Sequence, residues 1–234
     1  MIEIRPFAKL GRFENDWLRA RYHFSFAEYF DPSRVSFGAL RVWNDDRISP
    51  QNGFPPHGHR DMEIITYIRR GAVTHEDHLG NRGRTEAGDV QVMSAGTGIV
   101  HAEYNLETEP TELFQIWIEP AQRGLAPRWG TRQFPNDGRE GKFMVLASGR
   151  SEHAGTGALP INQDASLLGA TVATGKTLEY RLERGRRAYL VAPRGRLSVN
   201  GVEAAARDGI AVHDEERIEV KAFEESEVVL VDVP

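Results

Sequence analysis

Glu63-Ile64-Ile65-Thr66-Tyr67-Ile68 is rich in β-branched and aromatic residues, and it is typical of the short segments from which this chain is built. Similar segments occur at residues 89–93 (DVQVM) and 113–118 (LFQIWI), with turn signals such as Gly80-Asn81 and Gly88-Asp89 between them. Glycine (23 residues) and proline (12 residues) recur at short intervals along the chain. Short strands joined by tight turns are typical of a barrel or sandwich, so the sequence predicts an all-β fold.

The second half of the chain repeats, less clearly, the order of strands and turns found in the first half. Residues 71–81 (GAVTHEDHLGN) are followed by a turn at residues 88–89 and by VQV at residues 90–92. Residues 195–201 (GRLSVNG) are followed by a turn at residues 208–209 and by IAV at residues 210–212. We therefore expect two tandem antiparallel β-barrels, an N-terminal one over residues 1–135 and a C-terminal one over residues 136–234.

The composition excludes several classes of function. The chain of 234 residues contains no cysteine, so any metal site must use nitrogen and oxygen ligands. A formal net charge of −5 argues against direct nucleic-acid binding, which needs a basic surface. No apolar run approaches the roughly 18 residues of a membrane span, and Met1–Pro6 lacks the pattern of a signal peptide. We expect a cytoplasmic protein without membrane contact.

Two pairs of potential metal ligands have the spacing of strand neighbours. They are His57-Gly58-His59 and His101-Ala102-Glu103. Residues i and i+2 of a strand point to the same face, so each pair can direct two ligand atoms at one point. Imidazole and carboxylate ligands suit Fe(II), Mn, Co, Ni, Cu or Zn. The sequence predicts one divalent metal ion on these four residues, with coordination positions left for substrate and O₂.

A resemblance to a known family becomes specific at these residues. The motifs His57-x-His59-Arg-Asp-Met-Glu63, His75-Glu76-Asp77 and the segment 93–103 (MSAGTGIVHAE) resemble the pirin family of the cupin superfamily. The segment 115–118 (QIWI) is similar to its bacterial, quercetinase-like branch. The resemblance implies a bicupin, in which each barrel is a double-stranded β-helix and the N-terminal barrel alone holds the metal. His153 and His213 in the second half form no dyad, which agrees with a C-terminal barrel without a metal site.

The resemblance also distinguishes two carboxylates. Glu63 lies where many cupins have their carboxylate ligand. The pirins that this sequence resembles have that ligand at the later position, which corresponds to Glu103. Glu103 is therefore assigned as the ligand, and Glu63 is expected to contact the ligands, with direct ligation as the less favoured alternative. Phe54, Met93 and Trp117 are candidates for lining a substrate pocket, although each is equally compatible with core packing. A further pair, His75 and His78, is expected on a hairpin surface, because its i, i+3 spacing puts the two rings on opposite faces of a strand.

The family implies a metal-dependent dioxygenase that opens the ring of a flavonol such as quercetin with O₂ and releases carbon monoxide. Fe(II) is the first expectation for the metal, and Glu103 is the expected catalytic residue, because it can accept the proton of the flavonol hydroxyl. The expected partners are thus a small aromatic substrate and O₂. The alternative is a non-catalytic metal-binding protein with a regulatory or redox-sensing role, which needs the same ligands.

Overall fold

The protein is nearly all β, as its sequence predicts. The structure, a computed structural model, describes residues 1–134 and 136–234. Its strands are β1 (Ile2–Arg5), β2 (Gly11–Glu14), β3 (Leu18–Tyr22), β4 (Leu40–Ile48), β5 (Asn52–His59), β6 (Glu63–Arg70), β7 (Ala72–Asp77), β8 (Arg82–Glu86), β9 (Val90–Ser94), β10 (Ile99–Asn105), β11 (Thr111–Ile118), β12 (Arg128–Arg132), β13 (Met144–Ser148), β14 (Leu159–Pro160), β15 (Ser166–Val172), β16 (Thr177–Arg181), β17 (Arg187–Arg194), β18 (Leu197–Val199), β19 (Val202–Ala204), β20 (Gly209–His213), β21 (Arg217–Ala222) and β22 (Ser226–Val233). Short 3₁₀ helices occur at Phe7–Lys9, Asn136–Arg139 and Ser151–His153. In the part of the chain that the structure describes, no helix is long and apolar enough to cross a membrane.

The chain divides into two compact units. One unit, called the N-terminal barrel below, comprises Gly11–Phe134 and Leu159–Gln163, and the other, the C-terminal barrel, comprises Met1–Leu10, Pro135–Ala158 and Asp164–Pro234. The division predicted at residues 135 and 136 differs from this one for the first ten residues and for Leu159–Gln163. Main-chain hydrogen bonds explain the first difference, because β1 pairs antiparallel with β20.

Two antiparallel sheets form the N-terminal barrel. The larger has the strand order β12-β9-β6-β11-β4-β3-β2, and the smaller has the order β5-β10-β7-β8. Strands such as β6 and β9 are buried along most of their length, and their buried positions include polar residues such as Thr66 and Gln91 as well as apolar ones. The smaller sheet carries both predicted ligand dyads, since β5 ends at His59 and β10 contains His101 and Glu103.

The predicted turns occur in both halves of the chain. Gly80 and Gly88 have φ angles of 88° and 89°, in the left-handed region that glycine adopts without strain. They connect β7 to β8 and β8 to β9. Asn200 and Gly201, with φ angles of 46° and 83°, connect β18 to β19 in the same way. The β18–β19 connection is a two-residue turn between antiparallel neighbours, whereas four residues connect β7 to β8 and three connect β8 to β9.

The C-terminal barrel has an apolar interior. Its strands follow the orders β1-β20-β17-β22-β15-β13 and β16-β21-β18-β19. A continuous cluster of buried aliphatic side chains from both sheets includes Leu168, Leu190, Ile210, Val220 and Leu230. Burial of this surface favours folding by about 25 cal/mol per Å² of apolar area.

One buried carboxylate organises the polar part of the C-terminal barrel. Asp232 is fully buried and accepts hydrogen bonds from Arg150 Nη1 at 3.0 Å, Arg186 Nε at 2.6 Å and the Tyr180 hydroxyl at 2.6 Å. Both arginines also pair with Asp164, whose side chain is 63% exposed. The two guanidinium groups compensate the burial of one charge, and removal of Asp232 leaves them with only exposed carboxylate partners, those of Glu152, Asp164 and Glu183.

Candidate metal centre

Three histidine rings converge because β5 and β10 are antiparallel neighbours. His101 lies opposite His57 in the register, and Ile99 lies opposite His59. The ring centroids of His57 and His101 are 4.5 Å apart, and His59 is 4.8 and 5.0 Å from these two rings. One ligand atom from each ring lies within 4.8 Å of the other two. The structure thus brings together three of the four predicted ligands.

The donor atoms of His57 and His101 fit a shared cation. Pro55 carbonyl oxygen lies 2.8 Å from His57 Nδ1 and can only accept, so Nδ1 carries the proton and Nε2 keeps its lone pair. That Nε2 is 3.1 Å from His101 Nε2. Two nitrogens bound at about 2.1 Å to one ion, at right angles to each other, are about 3 Å apart. The spacing is therefore that of neighbouring ligands of one metal ion.

Burial keeps two of the rings neutral. The pKa of His59 is lowered to about 4, chiefly by burial and further by the neighbouring His57. Burial lowers the pKa of His101 to about 2, with additional repulsion from the other three rings around it. A metal binds the neutral imidazole, so these rings do not have to lose a proton before binding at neutral pH.

Glu103 lies deeper in the barrel and is held by three donors. It is 2% exposed and accepts hydrogen bonds from Gln115 Nε2 at 2.9 Å, from Thr66 Oγ1 at 3.4 Å and from Gln91 Nε2. Burial raises its pKa to about 7, although the hydrogen bonds of these three residues lower it. Glu103 belongs to a second group of ligand atoms within 4.8 Å of one another, together with His101 and His75. The two groups share His101.

The strand irregularity beside Glu103 has a local cause. The register of β10 on β5 shifts between His101 and Glu103, which lies opposite Phe54. Pro55 and Pro56 occupy the intervening positions of β5 and have no amide hydrogen for the ladder. A bulge at such a position changes the direction of side chains next to a site. The bulge at Phe54-Pro55-Pro56 therefore sets the positions of His57 and His59 relative to Glu103.

The surface position expected for His75 is wrong. His75 is fully buried, and its strand β7 pairs with β10 so that His75 lies opposite Glu103. Trp129 stacks on its ring with centroids 4.7 Å apart and planes 8° apart. His78, by contrast, is exposed as expected. Val73 and His75 are i, i+2 neighbours in β7, and the burial of this apolar partner is the signal that could have placed His75 inside.

Of the other predicted site residues, Trp117 and Phe54 lie beside histidine rings, and Met93 packs in an apolar cluster. Trp117 meets the His59 ring edge to face at 4.9 Å, and its indole N–H donates to Gln115 Oε1 at 3.2 Å. The Phe54 ring is 6.3 Å from the His57 ring. Met93 is 2% exposed and packs in an apolar cluster that Trp117 also contacts. These positions leave the pocket role of all three residues a prediction.

Both carboxylate oxygens of Glu63 accept hydrogen bonds from other residues of the protein. Ser94 Oγ donates to Glu63 Oε2 at 2.6 Å, and Asn162 Nδ2 donates to Oε1 at 3.0 Å. Neither of the two ligand groups found among the described residues contains Glu63. Its assignment as a residue that contacts the ligands stays a prediction.

Comparison with known proteins identifies the family of this chain. Residues 4–118 match the model of the family described as Pirin, and residues 146–233 match the quercetinase C-terminal cupin domain. A pirin-like protein of Caulobacter vibrioides is 59% identical over 232 residues, covering 99% of each chain. The chain belongs to the pirin family. Quercetin 2,3-dioxygenase of Escherichia coli K12 is 41% identical over 235 residues, covering 100% of this chain and 99% of its own.

A solved pirin has the same fold as this family member. The crystal structure of a bacterial pirin from Escherichia coli in complex with nickel(II) superposes with a TM-score of 0.93 at 39% identity. The match covers 100% of this chain and 99% of the other. The predicted bicupin architecture is thereby confirmed, since the two matched domains and the two all-β units correspond to cupin folds.

Proposed function

We propose that this pirin family member holds one divalent metal ion on His57, His59, His101 and Glu103, and that it acts as a dioxygenase of the quercetinase type. The observation that carries the proposal is the 3.1 Å separation of two imidazole Nε2 atoms, those of His57 and His101. A third imidazole, from His59, has a ligand atom within 4.8 Å of both. Three imidazole nitrogens from one small region are a donor set for a first-row divalent metal.

Fe(II) is the metal we favour for this site, and Zn, Co, Ni, Mn and Cu share the same donor preference. The related Escherichia coli pirin was crystallised with nickel(II), which supports a divalent ion without selecting iron. A bound ion of this kind would supply a Lewis acid for the 3-hydroxyl oxygen of a flavonol and a position for O₂. Three neutral imidazoles and one carboxylate would leave the ion with a net positive charge for an anionic oxygen.

Glu103 is the residue proposed to take the flavonol hydroxyl proton. Its carboxylate is buried, and burial raises its pKa to about 7 in the metal-free protein, so it can hold a proton near neutral pH. The amide groups of Gln91 and Gln115 are oriented toward it, because Thr85 and Trp117 donate to their other ends. These donors would hold the carboxylate in position as its charge changes.

The aromatic residues near the histidines are proposed to orient the substrate. Trp117 and Phe54 lie beside the rings of His59 and His57, and flat aromatic surfaces favour a planar polyphenol. Met93, in the apolar cluster that Trp117 contacts, would shape the floor of the same region. Glu63 would act through Ser94 and Asn162, its two hydrogen-bond donors, and not as a ligand.

Metal content tests the ligand assignment. Protein purified without chelators or an affinity tag should contain about one divalent ion per chain, measured by inductively coupled plasma mass spectrometry. His57→Ala and His101→Ala should each lose the ion. His78→Ala is the matched control, because His78 is exposed and belongs to neither ligand group. Equal metal content in all three variants would overturn the assignment.

Turnover tests the reaction itself. Iron-loaded protein should consume O₂ and release carbon monoxide when quercetin is added, and Glu103→Gln should reduce this rate more than it reduces quercetin binding. A full metal complement with no turnover would reject the dioxygenase and support the alternative, a metal-binding protein with a regulatory or redox-sensing role. Retained turnover in metal-free protein would contradict both.

A further inference from the structure

We propose that Asp77 and His75 are positioning residues that fix the tautomer of His101, so that His101 presents the lone pair of Nε2 to the metal. The inference rests on the proposed metal site and adds two residues to it. The three side chains form a chain of contacts: Asp77 Oδ2 to His75 Nε2 at 3.0 Å, then His75 Nδ1 to His101 Nδ1 at 3.4 Å. All three lie on the paired strands β7 and β10.

The chain begins at a group that only accepts hydrogen bonds. Asp77 Oδ1 accepts from the main-chain amides of Leu79 at 2.9 Å and Asn81 at 3.1 Å. Oδ2 accepts from Asn81 Nδ2 at 2.9 Å. Three donors from the turn hold Asp77 as a carboxylate, and a carboxylate has no proton to donate. His75 must therefore donate its Nε2–H to Asp77.

The direction of the next contact follows from the first. A neutral His75 with its proton on Nε2 has a lone pair on Nδ1, so His101 must donate Nδ1–H to it. His101 then carries no proton on Nε2. The reverse direction would place an unprotonated His75 Nε2 against the Asp77 carboxylate, two acceptors 3.0 Å apart. A buried contact of that kind costs the hydrogen bonds of both groups.

The two ends of the site are arranged in the same way. The carbonyl of Pro55 directs the lone pair of His57 Nε2 toward His101, and Asp77 with His75 directs the lone pair of His101 Nε2 toward His57. Two lone pairs 3.1 Å apart repel each other unless a cation lies between them. The hydrogen bonds on the far side of each ring thus prepare the pair for a metal ion.

His75 is also held in a fixed plane. Its ring is fully buried and stacks on Trp129 with planes 8° apart. Its strand neighbour in β8 is Gly83, where an added Cβ would lie 2.2 Å from the Trp129 ring. A ring fixed by packing loses little entropy when it orients another residue, which is the arrangement that a positioning residue needs.

Asp77→Asn tests the direction of the chain, with Glu76→Gln as the matched control. The control makes the same change one residue away on an exposed side chain that pairs with Arg82. In Asp77→Asn the amide oxygen can keep the turn, while the NH₂ group faces His75 Nε2 and can only donate. Both rings must then invert, or the contact between them is lost. We expect the Ni(II) dissociation constant to rise about 10- to 100-fold in Asp77→Asn and to stay unchanged in Glu76→Gln.

The tautomers themselves are read in the metal-free protein by two-bond ¹H–¹⁵N correlation spectra of histidine. The wild type should show His101 protonated at Nδ1 and His75 at Nε2, and Asp77→Asn should shift or abolish this pattern. His101 protonated at Nε2 in the wild type would overturn the proposal. So would wild-type Ni(II) affinity in Asp77→Asn. If the wild type retains no Ni(II), the proposed metal site is wrong. The tautomer spectra still show whether the contacts from Asp77 through His75 to His101 have the proposed direction.

A second pair of variants separates orientation from packing, should Asp77→Asn fold poorly. His75→Phe keeps a ring against Trp129 but removes both nitrogens, so Ni(II) affinity should fall. His75→Gln loses the ring but can donate to Asp77 and accept from His101, so it should bind Ni(II) more tightly than His75→Phe. The opposite order would show that the ring acts through packing and would refute the positioning role. Equal, complete loss in both variants would indicate that His75 is itself a ligand and would overturn the proposal.

Discussion

Gly83→Ala should destabilise the protein only while Trp129 is present. Gly83 lies in the extended strand β8, and a Cβ at this position would be 2.2 Å from Trp129 Cη2 and 3.1 Å from Cζ3. The indole ring would have to withdraw by roughly 1 Å to restore ordinary contact distances, and it would lose its stack on His75. Overpacking of this kind costs about 1–3 kcal/mol.

The substitution also has a stabilising component of known sign. Alanine restricts the unfolded chain and favours the folded state by about 0.5–1 kcal/mol where no clash occurs. We therefore expect a net loss on the order of 1 kcal/mol in the wild-type background. In a Trp129→Ala background the clash is absent, and Gly83→Ala should stabilise by about 0.5–1 kcal/mol.

Urea unfolding of the four proteins in this double-mutant cycle measures the coupling, expected at about 1–3 kcal/mol. Gly130→Ala is the matched control: it is a strand glycine next to Trp129, and its Cβ would meet only Leu159 Cδ2, at an ordinary 3.7 Å. This control should not destabilise the protein. The reasoning is refuted if Gly83→Ala has the same effect in both backgrounds, or if it stabilises the wild type.

Three further outcomes are expected. Asp232→Asn removes the only buried carboxylate that pairs with Arg150 and Arg186 among the described residues and should cost about 3–5 kcal/mol in urea unfolding, against under about 1 kcal/mol for the exposed Asp164→Asn; equal costs would contradict the burial argument. Burial, then Asp45 and Glu103, raise the pKa of Asp46 well above its usual range, so its contribution to the stability of the metal-free protein is present below about pH 4 and is lost as the pH rises through the raised value. Asp46→Asn should flatten the stability profile above about pH 4, and a parallel profile would disprove this. Addition of Ni(II) at about 100 times its dissociation constant should stabilise the protein by about 2.7 kcal/mol, visible as a higher melting temperature that a chelator reverses; an unchanged melting temperature would count against the site.

Local sequence was informative wherever neighbours along the chain make the structure. The pairs His57-x-His59 and His101-x-Glu103 could be placed on strand faces because alternation has a period of two. The turns at residues 80–81, 88–89 and 200–201 could be placed because asparagine and glycine tolerate positive φ. Neither pattern requires knowledge of distant residues.

Contacts between distant strands decided what the sequence missed. His75 was expected on a surface, but Trp129 from β12 covers its ring and β10 brings His101 beside it. The first ten residues were expected in the N-terminal barrel, but β1 pairs with β20, about two hundred residues later in the chain. Pairing partners of this kind leave no local pattern, because any strand edge offers the same main-chain donors and acceptors.

The sequence by itself therefore determined the all-β class, the repeated strand–turn units and the two dyads, since each depends on residues within a few positions of one another. Only the tertiary structure decided that the dyads meet, because their convergence depends on the register that sets His101 opposite His57. The same holds for Glu103, whose three hydrogen-bond donors come from β6, β9 and β11, and for the chain from Asp77 through His75 to His101. Those contacts are made by strands distant in sequence, and their geometry exists only once the barrel has closed.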